Sequence, residues 1–406
     1  MNRNQFLAIA VVGILVIAGV VAVVMTNGGS EDKKKPASED GYPRTLKDAY
    51  GQEFTLTKEP QTFAAEVRGL NIVSYLGKDI VDRCILATSG VSNGSQPRNG
   101  NITNLAYDMP SKCATIKSNN MVDMPQEVLV AKPDIVIIGI GSISDTAKSF
   151  KSTMEAAGIP VCFTTTNSSS FTEVHEYLEM NLTVVAKIFN MEERANKIIE
   201  QTDKWIEDLQ KRLDGIVESD KKRVYYAGGT GKGTGFLATG SNTYYYPAIY
   251  IKDYVVNVFE GISDNEYGVV DFQRLYDYEK ETHKIDYIFI DEARAWNDFK
   301  SLYQADPSKF NVMSAFQNDS VYLVMPYQSN GMIADNCIIL AYLYSSLLYP
   351  ERFTDFDINS FALKVWSFFA DSDELGLKVY QARTGYMTND AGYPIGFFGK
   401  IDTTKF

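Results

Sequence analysis

The sequence predicts an α/β fold of two Rossmann-like lobes joined by one long α-helix, behind an N-terminal segment that is a transmembrane anchor or a signal. Three observations carry this. Short apolar strands alternate with helices from about residue 44, as in layered α/β domains. The alternation restarts near residue 221, after one long amphipathic stretch. Phe6 to Met25 is a run of twenty residues without a charge.

That run would rise about 30 Å as a helix, the thickness of a bilayer core. It is longer than the roughly 7–15 apolar residues usual in a signal peptide. An uncleaved anchor is therefore favoured over a cleaved signal, and either exports the remainder. Arg3 before the run and Lys33–Lys35 after it give conflicting votes on orientation. No lipid-attachment cysteine follows. Residues 27–43 form a polar tether.

In the first lobe, TLKDAYGQEFTL (45–56) alternates around a Tyr-Gly turn and reads as a hairpin. Strands are expected at Thr62–Glu66, Arg83–Thr88, Ile135–Ile140 and Ile159–Thr164. Helices are expected at Leu70–Leu76, Gln126–Ala131, Thr146–Ala157 and Phe171–Phe189. Ile135–Ile140 is almost wholly apolar, as in a parallel sheet covered on both faces. Asn190 and Glu193 read as a capping box that starts the next helix. That helix, Met191–Leu213, has Ala195, Ile198, Ile199, Ile206, Leu209 and Leu213 on one face. At about 34 Å it is long enough to cross between lobes.

In the second lobe, Arg223–Ala227, Tyr287–Asp291 and Val321–Val324 read as strands, and Tyr246–Val258 and Asn336–Leu348 as helices. The division is 1–26 anchor or signal, 27–43 tether, 44–190 first lobe, 191–214 interlobe helix, 215–350 second lobe, and 351–406 terminal helices and tail.

The chain has 406 residues and a net charge of −12. Its first 40 residues hold four cations and four anions, so the acidity belongs to the folded part. Neutralising nucleic-acid phosphates needs the opposite surplus. His175 and His283 are the only histidines, and Cys84, Cys113, Cys162 and Cys337 have no metal-site spacing. No metal site or resident cofactor is expected. In an exported chain Cys84 and Cys113 are candidates for a disulfide, and buried thiols are the alternative. Five Asn-x-Ser/Thr sequons, at Asn93, Asn101, Asn167, Asn181 and Asn318, fit an exported surface. Catalytic signatures are missing: there is no HExxH and no GxSxG. Asp291 and Glu292 are adjacent, and neighbours in extended chain point apart. Gly228–Gly235 (GGTGKGTG) fails the phosphate-loop form, because Gly233 follows Lys232 where Ser or Thr is required.

Three segments, TLKDAYGQEFTLTKEPQTFAAEVRGLNIVSYLG (45–77), MPQEVLVAKPDIVII (124–138) and the FNMEERA junction (189–195), together resemble substrate-binding proteins of ABC importers. The resemblance is to the iron-siderophore, haem and cobalamin class. It covers about residues 44–350, and residues beyond 351 match loosely. It implies two lobes on a stiff helix, limited hinge motion, a ligand in the cleft, and delivery to a permease with its ATPase. Where many relatives dock through one exposed Glu per lobe, this chain has Gln126 and Gln273. Docking then uses neutral hydrogen bonds or shifts to Glu127 and Asp271.

Ligands of open α/β sheets lie off the carboxyl ends of the strands. On that rule the candidate ligand residues are Arg68, Arg98, Ser142, Lys232, Tyr244, Tyr245, Tyr246, Arg294, Trp296 and Tyr327. Arginine offers a fork to carboxylates, and Tyr and Trp offer flat apolar faces with a polar tip. For each, a structural role is the alternative. The expected function is an exported, membrane-tethered, monomeric solute-binding protein that performs no chemistry. Its ligand is a metal chelate of the ferric-siderophore kind, with a corrinoid or haem as alternatives. A cell-surface adhesion or scaffold protein on the same fold is the other class.

Overall fold

The structure, a computed structural model, describes residues 41–90, 101–118, 120–123, 125–166, 174–228, 235–242, 246–263, 265, 267–281, 284–328, 331–389 and 396–405. The expected anchor and most of the tether lie outside these residues. Among the described residues no helix is long and apolar enough to cross a membrane. Pro43–Phe406 forms one compact unit, and the following concerns that unit.

The hairpin pairs β1 (Arg44–Lys47) with β2 (Glu53–Leu56). Gly51 takes φ +73° at its turn, where a side chain would be strained. Asp48 Oδ1 accepts from Tyr50 N and Gln52 N, both at 2.9 Å. The first five-stranded sheet is wholly parallel, in the order β5-β4-β3-β6-β7. Its strands are β3 (Phe63–Ala65), β4 (Cys84–Thr88), β5 (Ala114–Ile116), β6 (Ile135–Ile140) and β7 (Val161–Thr165). Along this half lie α1 (Val67–Val73), α2 (Ile102–Leu105), α3 (Pro125–Ala131), α4 (Asp145–Ala156) and α5 (Val174–Phe189). Alternate residues of β6 and β7, with Phe150 and Met154 of α4, form one core on this sheet.

The long helix is α6 (Glu192–Leu213). Asn190 does not cap it. Asn190 adopts φ +56° and instead closes α5, with Met191 N donating to Ala186 O at 2.9 Å. This is the left-handed stop that Asn tolerates after a helix. Met191 is the N-cap, without a side-chain bond. The α6 helix touches both halves. Arg194 Nε donates to Tyr75 O at 3.2 Å, and the Trp205 carbonyl accepts from Tyr342 Oη at 2.7 Å.

The second sheet has the order β10-β8-β12-β13-β14. Its parallel strands are β8 (Lys222–Ala227), β10 (Val255–Asn257), β12 (Tyr287–Asp291) and β13 (Val321–Val324). A two-stranded pair, β9 (Ala238–Gly240) and β11 (Tyr267–Val269), stands beside it. Helices α7 (Phe272–Lys280), α8 (Trp296–Ala305) and α9 (Ala334–Leu348) belong to this half. The helix expected over Tyr246–Val258 is corrected. It is helical at Tyr246–Ile249, then runs as β10, and a new helix begins at Val258. The β-branched Val255-Val256 pair suits an edge strand, and Asn257 caps the next helix by accepting from Phe259 N at 3.0 Å.

Residues 351–406 supply α10 (Ile358–Ala370), α11 (Asp373–Asn389) and β14 (Phe398–Lys400), which adds an antiparallel edge to β13. The close crossing of α10 and α11 needs Gly376, whose Cβ would fall 2.4 Å from the Ser367 backbone. These helices also reach the first half: Lys378 Nζ donates to Ala106 O at 3.0 Å, and Tyr107 Oη to Ala370 O at 3.2 Å.

Candidate ligand-binding site

The carboxyl ends of β3 and β12 lead into a seam built from three parts of the chain. On the first-half side, Glu66 caps α1, its Oε2 accepting from Arg68 N at 2.9 Å. Its Oε1 pairs with Arg68 Nε at 2.8 Å. Burial pushes the Glu66 carboxyl above its ordinary value, and Arg68 opposes that shift. Gly139 of β6 makes room for the pair, since a Cβ there would lie 2.5 Å from Arg68 Cβ. One step along, Asn71 Oδ1 accepts from Asn101 Nδ2 at 2.7 Å and from Thr103 Oγ1 at 3.1 Å.

Across the seam, a Cβ on Gly331 would fall 3.5 Å from Arg68 Cγ. Tyr75 Oη donates to Asp335 Oδ1 at 2.8 Å and accepts from Ala334 N at 3.2 Å. A first-half phenol is thus bonded to the N-terminus of α9. Burial, then the Asp335 charge, push the Tyr75 phenol up, which keeps it a donor.

Arg383 of α11, 1% exposed, lies 3.4 Å from Glu292 Oε1. It also acts on Asp291 and Asp335. Three buried carboxylates therefore face one buried guanidinium. Burial pushes Asp291 and Asp335 up to about 6 each. Asp291 Oδ1 accepts from Ala293 N at 2.9 Å and Arg294 N at 3.0 Å. Asp291 Oδ2 and Asp335 Oδ2 have no hydrogen-bond partner among the described residues. Adjacent acids do part company here: Asp291 turns to its own loop and Glu292 to Arg383.

A small cleft lined by Asn71, Tyr75, Thr103 and Met332, among others, lies in the seam and leaves no room for a water molecule. Ligand pockets commonly span about 300–1,000 Å³, so the described residues leave no ligand-sized space at this point of the seam. Among the described residues no group of three or more His, Cys, Asp or Glu is placed to hold a metal ion.

Of the residues singled out by sequence, Arg68 stands in the seam. Arg294 lies half-buried just past β12. Ser142 is exposed in the turn between β6 and α4. Two of them are packed into the interior. Trp296 is 5% exposed and stacks on Phe299 (6.0 Å) inside the second-half core, so its face is not presented to a ligand. Tyr327 is fully buried, and its Oη accepts from Gln328 Nε2 at 2.9 Å. Arg98, Lys232, Tyr244 and Tyr245 lie outside the described residues, as does the Tyr246 side chain. Gln126 and Glu127 sit in the first turn of α3. Asp271 caps α7, Oδ1 accepting from Gln273 N at 2.7 Å, and Gln273 Nε2 donates to Asp277 Oδ1 at 2.8 Å. Two sequons are closed to glycosylation in the folded chain, because Asn101 and Asn181 are buried and hydrogen-bonded.

Sequence reasoning missed Glu66, Tyr75, Asp335 and Arg383. The available signal was a charge inside an apolar helix: Asp335 opens MIADNCIILAYL, and Arg383 lies within KVYQARTGYM.

The family model for periplasmic binding proteins matches residues 95–323, more than half of the chain. An uncharacterised ABC transporter substrate-binding lipoprotein of Bacillus subtilis, YvrC, is 25% identical over 215 residues. The match takes in 52% of this chain and 60% of that protein, so the chain spans less than two thirds of the curated relative's length. Among solved structures, the molybdate periplasmic binding protein MolA of Haemophilus influenzae superposes with a TM-score of 0.62 at 16% identity. That match covers 81% of this chain and 98% of MolA. The TroA-like periplasmic binding protein FepB of Veillonella parvula gives 0.59 at 14% identity, covering 89% of this chain and all of that one. These likenesses fix the fold as the mixed α/β architecture of periplasmic binding proteins.

Proposed function

We propose, from the premise that the chain belongs to the periplasmic binding protein family, that it is the extracytoplasmic solute-binding component of an ABC importer. It holds a small ligand between its halves and delivers it to a permease and its ATPase. The N-terminal apolar segment tethers it to the membrane as a monomer. The observation that carries this reading is the seam. Buried ionisable side chains from the first half, the second half and α11 converge off the carboxyl ends of two parallel sheets. Such a cluster is costly to bury, and strongly shifted groups in a cleft mark functional sites.

The ligand is a metal chelate, first of the ferric-siderophore kind, with a corrinoid or haem as alternatives. The sequence resemblance supports that class, and FepB and MolA share the fold. The described residues leave no ligand-sized space in the seam, so on this reading the halves part and re-close around the ligand. The ligand then shifts a population between open and closed forms. Arg68, partly exposed beside Gly331, is a cation available to it. The binding step breaks no covalent bond, so the chain is not an enzyme.

A seam with no ligand-sized space among the described residues also favours a second reading, a cell-surface scaffold on the same fold. Calorimetric titration with a ferric hydroxamate, a ferric catecholate, cobalamin and haem separates the two. Binding of one, weakened by Arg68→Ala, supports the importer reading; no binding of any supports the scaffold.

A further inference from the structure

Cys84 and Cys113 take no part in the seam, yet the fold brings them together. Cys84 opens β4, and Cys113 immediately precedes β5, the parallel neighbour of β4. The register pairs Leu86 with Ala114, so Cys113 enters beside Ile85, one residue along from Cys84 on the adjacent strand. Both are free thiols and both are buried; Cys84 Sγ donates to Leu86 O at 3.6 Å and Cys113 Sγ to Met109 O at 3.5 Å, and each thiol perturbs the other's ionisation. Cys162 and Cys337 are fully buried elsewhere, Cys337 Sγ donating to Tyr327 O at 3.6 Å.

We propose that Cys84 and Cys113 form an intramolecular disulfide when the folded chain meets a small-molecule disulfide, closing residues 84–113 into a covalent loop. Its biological setting rests on the proposed export, because disulfides persist in oxidising compartments. The loop it closes is not peripheral. It carries Asn101 and Thr103, which bond Asn71, and Tyr107 and Ala106, which hold the C-terminal helices. The staple would fix both ends of the first-half seam wall to its sheet.

The chemistry is thiol–disulfide exchange, which runs through the thiolate. Cys113 is the more exposed of the two, at 9% against 3%. The neighbouring Cys84 thiol holds Cys113 below its ordinary value, favouring it as the attacking thiolate. Cys113 attacks one sulfur of glutathione disulfide, and one glutathione thiolate leaves. The Cys84 thiolate then attacks the Cys113 sulfur of the mixed disulfide, expelling the second glutathione. Two protein thiols are oxidised and one external disulfide is reduced to two thiols.

The test treats the purified full chain with glutathione disulfide under native conditions. The expected result is a fall in free thiols from four to two. The tryptic peptides Cys84–Arg98 and Cys113–Lys117 should appear linked, two hydrogens lighter than their sum. The oxidised form should melt about 5 °C above the reduced form, from loop-closure entropy over a chain of this size. The double variant Cys84→Ala/Cys113→Ala should show no oxidant-dependent shift. Retention of all four thiols, a link through Cys162 or Cys337, or a glutathione adduct that stops on Cys113 would overturn the proposal. Pairing in the tube is independent of export. Failure here therefore leaves the importer reading standing, and failure of ligand binding leaves the disulfide standing.

Discussion

Asp335→Asn is the sharpest probe of the seam's electrostatics. Burial holds the Asp335 carboxyl at about 6 against an ordinary 3.8. The unfolded chain therefore releases this proton near pH 4, and the folded chain keeps it to about pH 6. Folding takes up a proton in that window, so stability falls as pH rises from about 4 to about 6 and stays lowered above it. At 1.36 kcal/mol per unit, the penalty above pH 6 is about 3 kcal/mol. Asparagine keeps the Oδ1 acceptor for Tyr75 and removes the titration. Arg383 still faces Asp291 and Glu292. The assay is urea unfolding at pH 4.5, 6.0 and 7.5, reading the midpoint at constant slope. The variant should be more stable by about 2–3 kcal/mol at pH 7.5 and by only about 1 kcal/mol at pH 4.5. Asp291 leaves a residual pH dependence of the same sign in the variant. A difference that does not change with pH, or a variant less stable at pH 7.5, refutes the reasoning.

Arg383→Met removes the buried guanidinium that Glu292 faces and should cost about 3–5 kcal/mol in the same assay; a loss under 1 kcal/mol would mean water reaches the pair. Gly139→Ala drives a Cβ into Arg68 and should cost about 1–3 kcal/mol, with Arg68 displaced from Glu66 in a crystal structure of the variant. Docking onto the permease should depend only weakly on salt, since Gln126 and Gln273 offer neutral bonds and charge-assisted ones are about twice as strong. A steep salt dependence abolished by Glu127→Gln would instead assign docking to that carboxylate; Asp271 already serves as the cap of α7.

The parts of the fold legible in the sequence were those with a local signal. Ile135–Ile140 is an apolar run of strand length, and its observed bounds are the expected ones. The hairpin around Gly51 and the long amphipathic α6 are similarly local. The three-residue strands β5, β10 and β14 carry too little pattern to distinguish from loop or helix, and tertiary pairing alone makes them strands. Asn190 illustrates a real ambiguity: the same residue type starts one helix and stops another. The seam was the least legible part. Glu66, Asp335 and Arg383 come from three separated segments, and an isolated charge in an apolar stretch does not announce its partner. Nor does an aromatic residue declare in sequence whether it will face a cleft or a core; Trp296 packs into the second-half core.

Native mass spectrometry of the full chain purified from its source, followed by unfolding, tests the seam's purpose most directly. The account predicts a mass excess of several hundred daltons that leaves on unfolding and contains iron or, failing that, cobalt. A bare chain, still bare after incubation with ferric siderophores, cobalamin and haem, would contradict it.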